Sequence, residues 1–212
     1  MIKPIVIIGA GGFAQEVLST INDINRSTQE ENWQVMGFMS ELESDWYRKT
    51  FHGVPILRPA EAMKIPYAFI AVGSPKLKEH FFLEYPDFEY PNIIHPSVHF
   101  ADWVDLDGQG IIVQANSSLL AACKIERFVH INAHVCIGHD AVIEEFSTVS
   151  PGAMIMGNCK IGKKSYIGVG SSFREKIIVG DECVIGAGAA VVSNIPDKTM
   201  ALGVPAKIKK GV

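Results

Sequence analysis

The stretch Ile137-Gly138-His139-Asp140-Ala141-Val142 sets an imidazole beside a carboxylate within an otherwise small and aliphatic run. Histidine titrates near neutrality, so it can take a proton from an attacking group, and a neighbouring carboxylate can orient the ring or raise its basicity. The competing account of His139 and Asp140 is a solvated surface pair. Adjacent residues on an extended strand point to opposite sides, so contact between the two side chains requires a corner at that point. His130 and His134 lie close by in sequence, at spacings that would suit metal ligands. They are not on a helix, however, and no cysteine or carboxylate cluster completes a tetrahedral set, so no metal is expected. A third candidate is Gly9-x-Gly11-x-x-Ala14, whose backbone amides and following helix N-terminus would hold a diphosphate. The acidic residue that normally completes a dinucleotide fingerprint comes late here, as Glu41 in GFMSELE.

Two kinds of scaffold must position these residues. Residues 2 to 8 form a short β-branched strand, Gly9 to Gly12 a glycine turn, and Gln15 to Ile24 a segment of helical character. Further apolar runs, Val35 to Met39 and Ala68 to Val72 before Gly73, bracket the segment HGVPIL at 52 to 57. Strands alternating with helical segments predict a small, Rossmann-like parallel α/β domain over residues 1–90. Pro86, Pro91 and Pro96 then mark a linker into a second domain over 91–212.

That second domain obeys a period of six. Stepping by six from Val113 reaches Leu119, Ile125, Ile131, Ile137, Ile143, Val149, Ile155, Ile161, Ile167, Phe173, Val179, Ile185 and Val191. Four residues after these positions the chain is usually small, as at Ser117, Cys123, Ala141, Ser147, Ala153, Cys159, Ser165, Ser171, Cys183 and Ala189. Ile94, Phe100 and Leu106 keep the same spacing, and one extra residue near Asp107 to Gly110 shifts the register. Six fits neither an amphipathic helix nor an alternating strand, but it does fit a parallel β-helix with a short strand and a corner per hexad. The aliphatic residue fills the interior and the small one lets the chain turn. His139 and Asp140 then face outward, between the interior positions Ile137 and Ala141.

Composition narrows the partners. The chain has 212 residues, 48% hydrophobic and 20% charged, with a formal charge of −4. Nothing in this balance, and no run of like charge, calls for nucleic acid or an anionic membrane surface. No stretch approaches the ~18 apolar residues of a membrane span, and the apolar N-terminus leads into a glycine turn rather than a cleavage site. Cys123, Cys136, Cys159 and Cys183 are too dispersed for paired metal or redox motifs and read as buried thiols of a cytoplasmic protein.

The Ile-Gly hexads at 137, 161, 167 and 185, with GVPAK at 203 to 207, resemble the hexapeptide-repeat acyltransferases. Joined to a domain that begins IGAGGFAQEV, they are similar to bacterial enzymes that acetylate amino sugars on nucleotide carriers, such as bacillosamine- and perosamine-type N-acetyltransferases, and to sialic-acid O-acetyltransferases. The resemblance implies a left-handed β-helix of three hexads per coil, a homotrimer with active sites between subunits, and acetyl-CoA as donor. It implies His139 as general base, with Asp140 beside it, acting on the amino group of a nucleotide-linked aminodeoxy sugar for surface glycan biosynthesis. An eighteen-residue coil stacks Gly157 on one side of His139 and Ala121 on the other, and the family's matching glycine amide meets the acetyl group. Cofactor contacts carry over to Gly157, Val169 and Ala187, with Lys207, Lys209 and Lys210 available to CoA phosphates. The nucleotide sugar is expected at Gly9, Gly11 and Gly12, at Ser40 and Glu41, and at Gly73, Ser74 and Lys78. Two departures stand out: Thr148 occupies the place of a second family histidine, and Ser40 that of an acid. O-acetylation of a sialic-acid-like sugar, or a non-catalytic sugar-nucleotide-binding protein, are the alternatives.

Overall fold

The computed structural model describes residues 2–27, 32–40 and 50–209, which form two compact units, 1–73 with 77–96 and 74–76 with 97–212. The break falls after Pro96, whereas the sequence placed it after Tyr90. Ile93 is buried and His95 Nε2 lies 3.3 Å from Asp23 Oδ2 on the first helix, so these residues belong with the first unit.

In the first unit, β1 (Ile2–Ile8) is an inner strand of a five-stranded sheet. It is flanked by β2 (Asn32–Met39) and β5 (Tyr67–Ile70), both parallel to it. Beyond β2 lies β4 (Val54–Leu57), also parallel, and then β3 (Thr50–Phe51), antiparallel to β4. Buried on both faces, β1 reads as an unbroken apolar run, Ile5 to Ile8, each fully buried. Helix α1 (Gly12–Ser27) packs Ala14, Val17 and Ile21 against this sheet, a spacing of three and four that keeps one stripe inward. The short α2 (Pro59–Ala62) and α3 (Pro75–Glu84) complete the unit's helices among the described residues.

The second unit is a left-handed parallel β-helix. Its strands stack into three ladders, and from Ile112 to Val191 strands pair at a step of eighteen residues, Ser118 with Cys136, Lys124 with Val142, His130 with Thr148, while in the last coil the step shortens to sixteen, Val184 with Met200. Before Ile112 the step is nineteen, His99 with Ser118 and Asp105 with Lys124. The extra residue is therefore absorbed between Asp107 and Ile112. The first ladder contains Ser118–Leu119, Cys136–Ile137 and Met154–Ile155; the second, Lys124–Glu126, Val142–Ile143 and Lys160–Ile161; the third, His130–Ile131, Thr148–Val149 and Tyr166–Ile167. The aliphatic positions from Val113 to Val191 are almost completely buried, as the period of six requires.

The turn itself differs from expectation. The chain reverses one position before the small residue, where every sixth residue from Asn116 to Gly188 has φ between 53° and 69°. Left-handed backbone is costly for most side chains and cheapest for Gly, Asn and Asp, which hold many of these sites. The residue that follows lies inside the corner and is buried there, usually small but also Val129, Val135 and Ile177. Some of these residues also hydrogen-bond across coils. Ser165 Oγ donates to the Gly180 carbonyl at 2.9 Å and accepts from the Cys183 amide at 3.0 Å, while Ser147 repeats the pattern one coil earlier. Ser165→Ala leaves a buried amide and carbonyl without that partner and should destabilise the β-helix by about 1–3 kcal/mol. A urea midpoint equal to wild type would show that the hydroxyl ladder adds nothing.

Cys123, Cys159 and Cys183 fill the same inner corner positions and are buried and free, whereas Cys136, on an outward strand position, is only half-buried. Burial pushes the Cys123 thiol up to about 11 and raises those of Cys159 and Cys136, so the thiolate form is disfavoured in each.

Candidate functional site

His139 and Asp140 occupy the corner between the first and second ladders. Asp140 is the left-handed residue of that corner, with φ of 57°. The corner turns two adjacent side chains to the same side, which an extended strand could not do. His139 Nδ1 then donates to Asp140 Oδ2 at 2.8 Å, a bond that leaves Nε2 of the neutral ring with its lone pair. Both side chains are more than half exposed, at 54% and 57%. The imidazole is thus oriented by a carboxylate and open to a reactant.

The ring lies over Gly157, the residue one coil ahead. A Cβ on Gly157 would come within 2.4 Å of His139 Nε2 and 2.6 Å of its Cε1. The glycine is needed for this close approach and not for its backbone, since its φ is not in the left-handed range. Four backbone hydrogen bonds set the column: Ala122 N to Asp102 O, Asp140 N to Ala121 O, Asn158 N to His139 O and Lys176 N to Gly157 O, all between 2.8 and 3.1 Å. The side chains stacked on the histidine are therefore Ala121 above and none at Gly157 below.

Val169 and Ala187 stack on each other at a different corner, between the third and first ladders, where the Gly188 amide donates to the Val169 carbonyl at 2.8 Å. Val169 is half exposed, and Ala187 is exposed. The three expected cofactor contacts thus separate into Gly157 beside His139 and a Val169–Ala187 pair elsewhere on the same β-helix. Thr148 is buried on the third ladder. His134 is itself a left-handed corner residue, while His130 is buried on a strand, and no cluster of three or more His, Cys, Asp or Glu among the described residues is placed to hold a metal. Lys207 and Lys209 are exposed on a hairpin strand paired with Met200–Leu202. Lys210 lies outside the described residues.

In the first unit, the three parallel strands end in register, Ile8 opposite Met39 and Ile70. Gly9, Ser40 and Gly73 follow these ends and so share one edge of the sheet, the edge at which open parallel sheets bind ligands. The Gly9 amide donates to the Met39 carbonyl at 2.9 Å, and its φ of 114° is one that side chains rarely adopt. Gly11 and Gly12 are exposed, with open space where a Cβ would stand, and α1 begins there. A diphosphate would meet free space and a helix N-terminus at this turn. Glu41 lies outside the described residues. Ser74 follows Gly73 but groups with the second unit. Lys78 on α3 is wholly buried rather than a surface lysine, and burial holds its ammonium well below the usual lysine range. A cavity of ≈ 230 Å³ lies between residues 63–66 and 84–88, next to the start of β5 and so at the opposite edge from Gly9.

The corner position was the main feature missed in the sequence. Its signal was present at about half of the corners: three residues after the aliphatic position stand Asn116, Asp140, Gly152, Asn158, Gly170 and Gly188, residue types that tolerate left-handed backbone.

Comparison with known proteins gives the same two parts. Residues 4–85 match the family model of the PglD N-terminal domain. The chain is 25% identical over 188 residues to the GDP-perosamine N-acetyltransferase of Escherichia coli O157:H7, covering 86% of this chain and 82% of that one. Among solved structures it is similar to PerB from Caulobacter crescentus in complex with CoA and GDP-perosamine, with 27% identity, a TM-score of 0.87 and coverage of 98% and 97% of the two chains. It is also similar to the acetyltransferase domain of PglB from Neisseria gonorrhoeae FA1090 in complex with acetyl coenzyme A, with 27% identity, a TM-score of 0.85 and coverage of 98% and 99%. Hexads that stack into a β-helix, a glycine-turn α/β domain ahead of them and relatives alike over almost the whole length together support a hexapeptide-repeat acetyltransferase, an enzyme.

Proposed function

We propose that this protein transfers an acetyl group from acetyl-CoA to the amine of a nucleotide-linked aminodeoxy sugar, with His139 as general base. The observation that carries the reading is the Asp140–His139 hydrogen bond, which leaves Nε2 available as an acceptor beside a glycine gap. Nε2 takes a proton from the sugar amine as its nitrogen attacks the thioester carbonyl. A new C–N bond forms, the C–S bond breaks, and the proton passes to the departing sulfur, which leaves as the CoA thiol. The Gly157 amide is assigned to the developing oxyanion. Nucleotide binding is assigned to Gly9, Gly11, Gly12, Ser40 and Gly73; Glu41, Ser74 and Lys78 remain candidates from the resemblance alone. Relatives that bind CoA with GDP-perosamine, and the open glycine turn, support that assignment.

The cofactor groove is assigned to two subunits of a homotrimer. On one chain Val169 and Ala187 lie at a different corner from His139 and Gly157. A neighbour that turns its Val169 corner toward this chain's His139 corner completes a channel for pantetheine. The product's role, in surface glycan synthesis in the cytoplasm, is part of the same reading. Among the described residues no helix is long and apolar enough to cross a membrane.

The test is a screen of UDP-, dTDP-, GDP- and CMP-linked amino sugars with acetyl-CoA, following free CoA. Thiol release is expected with at least one amine, and none with the matching sugars that carry a hydroxyl in its place. Release with hydroxyl acceptors alone would replace this reading by O-acetylation, and tight nucleotide binding without any release would make the protein a binding module.

A further inference from the structure

The corner that holds His139 continues two coils further back, to Asp102 in the column of His139 and Trp103 in the adjoining column of Asp140. The hydrogen bonds from Ala122 N to Asp102 O and from Asp140 N to Ala121 O make the pair Asp102–Trp103 the rung above Ala121–Ala122, which is the rung above His139–Asp140. Trp103 takes the left-handed corner position, with φ of 61°, and is 80% exposed. A bulky residue rarely adopts this backbone. The aromatic residues at the corner between the second and third ladders, Phe128 and Phe146, stack on each other one coil apart, with ring centroids 5.1 Å apart. Trp103 has no such neighbour, because the next rung at its corner is Ala122.

The corner therefore presents an indole, a floor of two alanines, and then the imidazole with its glycine gap. Rungs of a parallel sheet are about 4.8 Å apart, so the indole and His139 rungs bracket roughly 10 Å of corner with only methyl groups between them. A six-membered sugar ring fits that interval, with an amine directed to Nε2 and its apolar C–H face against the indole. We infer that Trp103 is the stacking platform for the sugar ring of the acceptor. A flat aromatic face recognises the ring's C–H surface and leaves its hydroxyl and amino groups free for hydrogen bonds, so this contact selects for a pyranose rather than for its nucleotide. The inference rests on the acceptor reading above.

The test uses the full chain and whichever of the four nucleotide-linked amino sugars gives the fastest CoA release with wild type. Trp103→Ala should raise KM for the sugar about tenfold with little change in kcat or in KM for acetyl-CoA, and Trp103→Phe should recover most of the loss. Native mass should be the same in all three proteins. An unchanged sugar KM in Trp103→Ala overturns the inference. So does a loss of native mass, which would assign Trp103 to a subunit contact. A wild type that turns over none of the sugars fails at the control and removes the acceptor reading together with this one; a failure of the present inference alone shows only in the variant.

Discussion

His139→Ala should keep its fold and native mass and lose roughly a hundred- to ten-thousand-fold in kcat, the range typical for removal of a positioned general base. The expectation of an intact fold rests on where the side chain lies. It is more than half exposed and its hydrogen-bond partner is Asp140, itself at the surface. Ile137 and Ala141, the interior residues on either side, are fully buried and are not touched by the change. The backbone of the rung is held separately, by the amides of Asp140 and Asn158 donating across coils. Circular dichroism and native mass report the fold, and CoA release reports the chemistry. Turnover within a fewfold of wild type would remove His139 from the mechanism, and the proton would have to leave by way of water.

The second large effect comes from one methyl group. Gly157→Ala sets a Cβ 2.4 Å from His139 Nε2, far inside van der Waals contact, so one of the two must move. The glycine backbone is fixed, since its carbonyl accepts from Lys176 and its amide packs against Gly138, where an added Cβ would come within 2.5 Å. The ring moves instead. Swinging it into solvent costs little stability because it is already exposed, but it strains or breaks the bond to Asp140 and carries Nε2 off its line to the reactant. A displacement of that order costs about a hundredfold in rate where geometry sets the barrier. Unfolding midpoints of the variant and wild type should agree closely while kcat falls. The double variant supplies the decisive comparison: in a His139→Ala background, Gly157→Ala should add almost nothing, because the clash has lost its partner. A further large loss there would mean that the added methyl blocks the reactant itself and does not act through the ring alone.

Much of the fold could be read from residue spacing, because the period of six repeats one structural requirement many times. The aliphatic run from Val113 to Val191 is the buried ladder, and the shift near Asp107 to Gly110 is the one coil whose step is nineteen. The α/β domain was equally legible at β1 and the glycine turn, where a fully buried parallel strand must be apolar throughout. What spacing did not reveal was backbone handedness. The turn was assigned to small residues such as Ala141, which line the corner, when Asp140 makes it. That distinction decides the site, since only a left-handed Asp140 can face back to its neighbour. The burial of Lys78 was also hidden: ten residues of α3 contain two exposed leucines, Leu77 and Leu83, and no apolar stripe that would announce a lysine inside. Lone residues give no repetition to average over.

The eighteen-residue step that holds through the coils around His139 has a consequence for how such a chain can change. Position modulo six decides whether a residue is inside or outside, and position modulo eighteen decides which edge of the triangle it decorates. The two kinds of information are independent. Losing or gaining one hexad upstream of His139 would keep every aliphatic side chain in the interior, yet it would rotate everything downstream by one face relative to what precedes it. The corner that now brings together Asp102–Trp103, Ala121–Ala122, His139–Asp140 and Gly157–Asn158 would be divided between two edges, although the composition of the core would be unchanged. Only whole coils can be added or removed without disturbing that alignment, so length variation in this architecture is quantised by function more coarsely than by folding.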